Sequence, residues 1–179
     1  QEFARTPVDH KCRVTKTLLF LGAKRGCAMR IELHDLSGEE IAKFMDTHVR
    51  EVRLHTPLES KHALSLEDLR RPEIKLWVVR EGEEIVGCGA LKKLNSRHAE
   101  LKAFHTRSDR KRSGVASLLL SHILAEAERD GIEKISLETG ASGYFNPARN
   151  LYKKFGFIPC GPFAEYETDP NNIFMTRFL

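Results

Sequence analysis

Residues 99–129, AELKAFHTRSDRKRSGVASLLLSHILAEAER, constrain the fold more than any other stretch. They open as a strand, with Leu101, Ala103 and the run from Phe104 to Thr106 alternating against polar Glu100 and Lys102. A short basic loop over 107–113 follows, and a helix enters at Gly114. Its apolar positions Val115, Leu118, Leu119 and Ile123 recur at helical spacing, and Gly131 stops it. A strand that passes through a basic, Gly-containing turn into a helix start makes an anion site. The first N–H groups of the helix are unpaired there, and the helix dipole adds partial positive charge. Gly114 and Ala116 carry little side chain, so a phosphate could approach the backbone closely. Two common phosphate loops are excluded, since the chain contains no G-x-x-x-x-G-K-[ST] and no G-x-G-x-x-G after a strand.

Either side of this stretch the chain reads as one mixed α/β domain. Residues 29–33 form a first strand, and Ser37 followed three residues later by Glu40 reads as a capping box opening a helix. A short helix over 66–70 stops before Pro72. Strands over 74–80 and 85–94 flank an Glu81-Gly82-Glu83 turn and lead into the central stretch. After the central helix, 134–139 is a strand. Asn146-Pro147 then opens a last helix, with a capping residue and Pro at the first helical position, and Gly156 ends it. Strands over 157–160 and 173–178 close the chain. The order is β-α-α-β-β-β-α-β-α-β-β, a mixed central sheet flanked by helices.

Two ordered motifs resemble those of the GNAT superfamily of acyl-CoA-dependent N-acyltransferases. Lys111-Arg112-Ser113-Gly114-Val115-Ala116 is similar to the signature [QR]-x-x-G-x-[GA], with Lys111 where the pattern has Gln or Arg. Residues 146–157, NPARNLYKKFGF, resemble the second signature, N-x-x-A-x-x-L-Y-x-k-x-G-F. The element order is that of the GNAT fold, and the resemblance spans most of 29–179, as in a small bacterial branch of the superfamily. It implies an N-acetyltransferase that moves the acetyl group of acetyl-CoA to a primary amine of a small molecule or peptide, by direct attack in a ternary complex. A non-catalytic acyl-CoA-binding regulatory module on the same fold is the alternative, and it is disfavoured by the presence of Tyr152 and Asn146.

The resemblance also implies roles. Phe104, His105 and Thr106 would line the pantetheine, with the backbone N–H near Phe104 facing the acetyl oxygen. Because His105 alternates with Phe104, its side chain is expected to point away. Lys111, Arg112, Ser113, Gly114, Val115, Ala116 and Ser117 would hold the pyrophosphate, and Asn146 belongs to the second motif. Tyr152 occupies the general-acid position. A phenol with a pKa of about 10 is protonated at neutral pH and can donate to a thiolate whose conjugate acid has a pKa of about 8.5. For the general base, Glu100 and Glu138 are both candidates, directly or through water, and a water chain to bulk solvent could replace either. Residues 53–64 join the first two helices where the family shapes its acceptor site. Arg53, His55, Glu59, Ser60 and His62 are the expected acceptor contacts there, with Arg53 or a His on an acceptor carboxylate and Glu59 facing its amine.

Composition settles several remaining questions. The net charge of +4 comes from residues 1–28, and the chain from Met29 onward is formally neutral. A nucleic-acid partner, which needs a basic face, is therefore not expected. The leader over 1–28 has too short an apolar run for a signal peptide and reads as non-native or vector-encoded sequence before a domain over 29–179. No segment has the length of a membrane span. Cys12, Cys27, Cys88 and Cys160 form no C-x-x-C pair, which suits a reduced, cytoplasmic protein. His48, His55 and His62 recur every seven residues, but Pro57 breaks the helix between them and no carboxylate or Cys completes a ligand set, so no metal is expected. The tail strands are compatible with a homodimer.

Overall fold

A computed structural model describes residues 18–20, 28–55 and 66–179. Among these, eight strands form one sheet. They are β1 (Leu18–Phe20), β2 (Met29–His34), β3 (Ile74–Glu81), β4 (Glu84–Lys93), β5 (His98–Thr106), β6 (Lys134–Gly140), β7 (Ile158–Cys160) and β8 (Asn172–Phe178), in the spatial order β1-β2-β3-β4-β5-β6-β8-β7. The helices are α1 (Glu39–Arg53), α2 (Leu66–Leu69), α3 (Val115–Arg129) and α4 (Asn146–Lys154). From Met29 onward the order is the one the sequence predicts. β1 is additional, pairing antiparallel with β2 through Leu18↔Ile31 and Phe20↔Met29.

The strands from β2 to β5 pair antiparallel, whereas β5 and β6 are parallel, because α3 carries the chain from one end of the sheet back to the other. Both faces are covered. On one, α3 and α4 bury Leu119, Leu120, Ile123, Tyr152 and Phe157 against Ile135, Leu137 and Met175. On the other, α1 and α2 bury Ile41, Met45 and Leu69 against Leu76, Val78 and Cys88. This two-sided cover explains why Leu76, Trp77, Val78 and Val79 of β3 are all buried in an unbroken apolar run.

Two helix starts differ from expectation. α1 begins after Gly38, and the Ser37 hydroxyl donates to Asp35 Oδ1 at 2.6 Å instead of capping the helix. Glu40, the expected box partner, turns to the sheet. It accepts from Arg80 Nη1 at 2.8 Å and from the Ile85 N–H at 2.9 Å, so a tertiary ion pair displaces the local cap. α4 starts one residue early, with Phe145 as its flanking residue and Asn146 already helical. The Asn146 side chain accepts from Arg149, a guanidinium that also binds Gly140 O and Ser142 O and so fastens the β6–α4 turn.

Candidate active site

The parallel pairing of β5 with β6 runs from His98↔Lys134 to Leu101↔Leu137 and then stops. β5 continues to Thr106 against β4, and β6 continues to Gly140 against β8, so the two strands part into an open wedge. β5 is bulged at its entrance. Its register against β4 steps from Ala90↔Lys102 to Cys88↔His105, so Ala103 and Phe104 stand opposite Gly89 alone. Ala103 carries the bulge at φ +49°. The extra residue changes the side-chain parity. Leu101 and Phe104 both pack on the α3–α4 face, while Ala103 joins the α1–α2 face. Beyond it, the Arg107 N–H donates to Val86 O on the β4 side at 2.9 Å. Strand alternation then turns the N–H groups of Thr106 and Phe104 the other way, toward the wedge.

The loop after β5 reaches α3 through two left-handed residues, Arg112 at φ +62° and Gly114 at φ +94°. The first helical bond is Leu118 N–H to Gly114 O at 2.9 Å, so the N–H groups of Val115, Ala116 and Ser117 stand ahead of the ladder. A Cβ at Gly114 would meet nothing within 4 Å, so this backbone faces open space. The loop's arginines do not all crowd that space. Arg107 pairs with Asp109 at 2.7 Å and Glu84 at 2.9 Å, and Arg110 with Glu81 at 2.6 Å and Asp109 at 2.9 Å. Ser113 Oγ donates back to Arg110 O at 2.6 Å. Lys111 and Arg112 are exposed.

Tyr152 is buried beneath the wedge, with its ring edge-on to Phe104 and tilted against Phe157. Burial, reinforced by the Glu138 carboxylate, pushes its phenol pKa above the ordinary value, so it stays protonated at neutral and alkaline pH. Glu138 faces the opposite side of β6 from Ile135 and Leu137. Burial pushes its pKa up to about 7; Lys102 opposes this, while Glu100 and Asp169 add to it. Turned with its nitrogen inward, the Asn172 amide donates to Glu138 Oε1 at 3.0 Å. Glu100 is placed differently. It is 2% exposed, and its Oε1 accepts both from Lys102 Nζ at 2.9 Å and from the Tyr166 hydroxyl at 2.6 Å. Lys102 Nζ also reaches the Tyr166 oxygen at 2.5 Å, closing a three-membered polar ring.

The side chain of His105 lies on the α1 face, away from Phe104, as alternation predicts. It packs edge-on against Phe44 and against His48, with the two imidazole centroids 4.4 Å apart. Burial pushes the pKa of His105 down to about 4 and that of His48 to about 3, so both are neutral at physiological pH. Arg53 is exposed at the end of α1, and His55 stacks on Tyr144 with centroids 3.7 Å apart. Glu59, Ser60 and His62 lie outside the described residues. Six participants were not expected from sequence: Lys102, Tyr166, Asn172, Glu51, Ser108 and Tyr144. Glu51 accepts from Ser108 at 2.7 Å and from Tyr144 at 3.3 Å, and Lys111 sits 5.4 Å from the Tyr144 ring centre. Only a Tyr in the Gly-bounded turn 140–145 hinted at them in the sequence. Among the described residues no group of three His, Cys, Asp or Glu side chains could hold a metal ion, and no helix is long and apolar enough to cross a membrane.

Comparisons with known proteins agree with this geometry. The profile of the Acetyltransferase (GNAT) family matches residues 38–157. The uncharacterized N-acetyltransferase YsnE of Bacillus subtilis is 49% identical over 151 residues, covering 84% of this chain and 100% of that protein. Among solved structures, an acyl-CoA N-acyltransferase assigned in Klebsiella pneumoniae superposes with a TM-score of 0.69 at 22% identity, over 84% of this chain and 97% of that one. A GNAT family acetyltransferase of Elizabethkingia anophelis with acetyl-CoA bound superposes with a TM-score of 0.59 at 18% identity, over 84% of this chain and 98% of that one. A parted pair of parallel strands, a helix start facing open space and this kinship lead to one conclusion: the chain belongs to the GNAT family of acetyltransferases.

Proposed function

We propose that the chain transfers the acetyl group of acetyl-CoA to a primary amine of a small molecule or peptide by direct attack in a ternary complex. The observation that carries this reading is the wedge itself. It has the Phe104 N–H turned into it and the N-terminus of α3 facing open space beyond the end of β5. The backbone from Arg112 to Ser117, with Lys111 and Arg112 nearby, binds the pyrophosphate. The pantetheine lies along residues 103–106, and the Phe104 N–H holds the carbonyl oxygen as negative charge develops on it.

The two carboxylate candidates separate on chemistry. Glu100 is 2% exposed beneath an ammonium and a phenol that both bond its Oε1, so an incoming amine does not reach it. Glu138, with a pKa of about 7, is balanced between accepting and releasing a proton at neutral pH, so it acts as the base, directly or through water. The amine nitrogen bonds to the carbonyl carbon, and Glu138 takes its proton. The carbon–sulfur bond then breaks, and the sulfur takes a proton from Tyr152. Arg53 and His55, at the end of α1, meet the acceptor.

Calorimetric titration of acetyl-CoA tests the donor site, beside an Ala116→Glu variant. A carboxylate in the first turn of α3 suits the helix dipole but repels a pyrophosphate, so the variant is expected to fold and to lose binding. Thiol release in a screen of amines then identifies the acceptor. Failure of the wild-type protein to bind acetyl-CoA overturns the reading.

A further inference from the structure

The bulge in β5 decides where the Phe104 N–H points, and a bulge with an alanine at φ +49° needs something to hold it. A left-handed alanine is strained, and its neighbours have left the regular ladder. The one side chain that reaches this backbone from β4 is Cys88. Its Sγ donates to Ala103 O at 3.2 Å, while the Cys88 backbone pairs with His105 across the ladder. Cys88 thus holds the strand on both sides of Phe104, through its thiol at Ala103 and through its backbone at His105. A second sulfur, Met45 Sδ of α1, lies 3.6 Å away and closes the pocket. Cys88 is fully buried, and burial pushes its pKa up to about 12, so it stays protonated and able to donate. On the opposite face of β4, Gly89 leaves the space the Phe104 ring occupies. A Cβ there would fall 2.8 Å from Phe104 Cδ2.

We propose that Cys88 is a positioning residue: the hydrogen bond from its thiol to Ala103 O locks the bulge so that the Phe104 N–H stays aimed at the thioester carbonyl. The thiol touches neither cosubstrate and undergoes no chemistry. The inference rests on the acetyltransferase reading of the wedge. A ligand-polarising N–H must be held to within a fraction of an ångström, which a lone bulge does not ensure.

Two variants separate positioning from mere filling. Cys88→Val keeps an apolar side chain of similar size and removes the hydrogen bond to Ala103 O, whereas Cys88→Ser is smaller and keeps the donor. Acetyl-CoA labelled with 13C at the carbonyl is bound to each, and the infrared stretch of the thioester is read; no acceptor is required. In the wild-type protein and in Cys88→Ser the stretch is expected at lower frequency than in free acetyl-CoA. In Cys88→Val it is expected to return toward the free value, with unchanged acetyl-CoA affinity. Once an acceptor is in hand, kcat should fall roughly tenfold in the Val variant with the KM for acetyl-CoA unmoved. A Val variant that keeps the wild-type stretch overturns the proposal, as does a Ser variant that folds and binds acetyl-CoA but loses the shift. A wild-type protein that binds no acetyl-CoA overturns the acetyltransferase reading itself, and the proposal with it.

Discussion

Phe104 and Tyr152 meet edge to face with ring centroids 6.1 Å apart, so the bulged strand and α4 are packed together through the ring of the expected acid. The hydroxyl and the ring of Tyr152 therefore serve separable ends. Tyr152→Phe keeps the contacts with Phe104 and Phe157 and removes only the proton donor. The variant should melt within a few degrees of the wild type and bind acetyl-CoA normally. Its kcat should fall roughly a hundredfold. Thiol-release kinetics beside a thermal melt check both halves, and an unchanged kcat would remove Tyr152 from the mechanism.

Glu138 gives two pH signatures from one carboxyl. As a base it must be ionised, so kcat should rise with pH through about 7, and Glu138→Gln should abolish that limb with a loss of roughly a hundredfold. Its stability signature has the opposite sense. Folding raises this pKa from 4.5 to about 7, so the stability it contributes is complete below 4.5 and is lost as the pH climbs through 7. A neutral glutamine loses nothing over that window. The melting temperature of Glu138→Gln relative to wild type should therefore rise from pH 4.5 to pH 7 and level off above it. Parallel melts at pH 4.5, 6 and 8 measure this.

The ring of Glu100, Lys102 and Tyr166 is built for structure. Lys102→Met leaves a carboxylate that is 2% exposed with no ammonium beside it, a change that costs about 3 kcal/mol. Adding Glu100→Gln removes the stranded charge, so the double variant should recover most of that loss. Urea unfolding of the two single variants and the double variant decides this. Additive losses would mean that the pair is not coupled.

The strand, basic loop and helix around Gly114 are legible in the sequence because each rests on local chemistry, whereas the left-handed backbone at Gly114 and Arg112 is not read from it. Tertiary contacts account for what is not legible. The run from Leu101 to Thr106 looks like plain alternation, and nothing within it marks Ala103 as the bulge; the cause lies across the ladder, in Cys88 and Gly89. Ser37 and Glu40 have the right spacing for a capping box, yet Arg80, forty residues away from Glu40, takes the carboxylate. Glu100 and Glu138 look alike as polar strand residues. What separates them is the loop that brings Tyr166 back over β5 onto Glu100, while Glu138 meets the Asn172 amide and is governed by burial.

Gly89 offers the sharpest test of how the bulge and the wedge depend on each other. A methyl group there would fall 2.8 Å from both Ile123 Cδ1 and Phe104 Cδ2, so both side chains must shift. Ile123 is fully buried and is forced against its neighbours in the α3 packing, while Phe104 is only partly buried and has room to turn at the wedge. Gly89→Ala should therefore cost about 1–2 kcal/mol of stability from overpacking. It should also press on the bulge that Ala103 and Phe104 form opposite Gly89 and turn the Phe104 N–H off the thioester carbonyl, so the infrared stretch of bound acetyl-CoA should return toward the free value. If the Ala variant loses stability yet keeps the wild-type stretch, the Phe104 backbone is not part of the donor site. A loss of both, read on the folded variant, ties the bare backbone of β4 to the chemistry on β5.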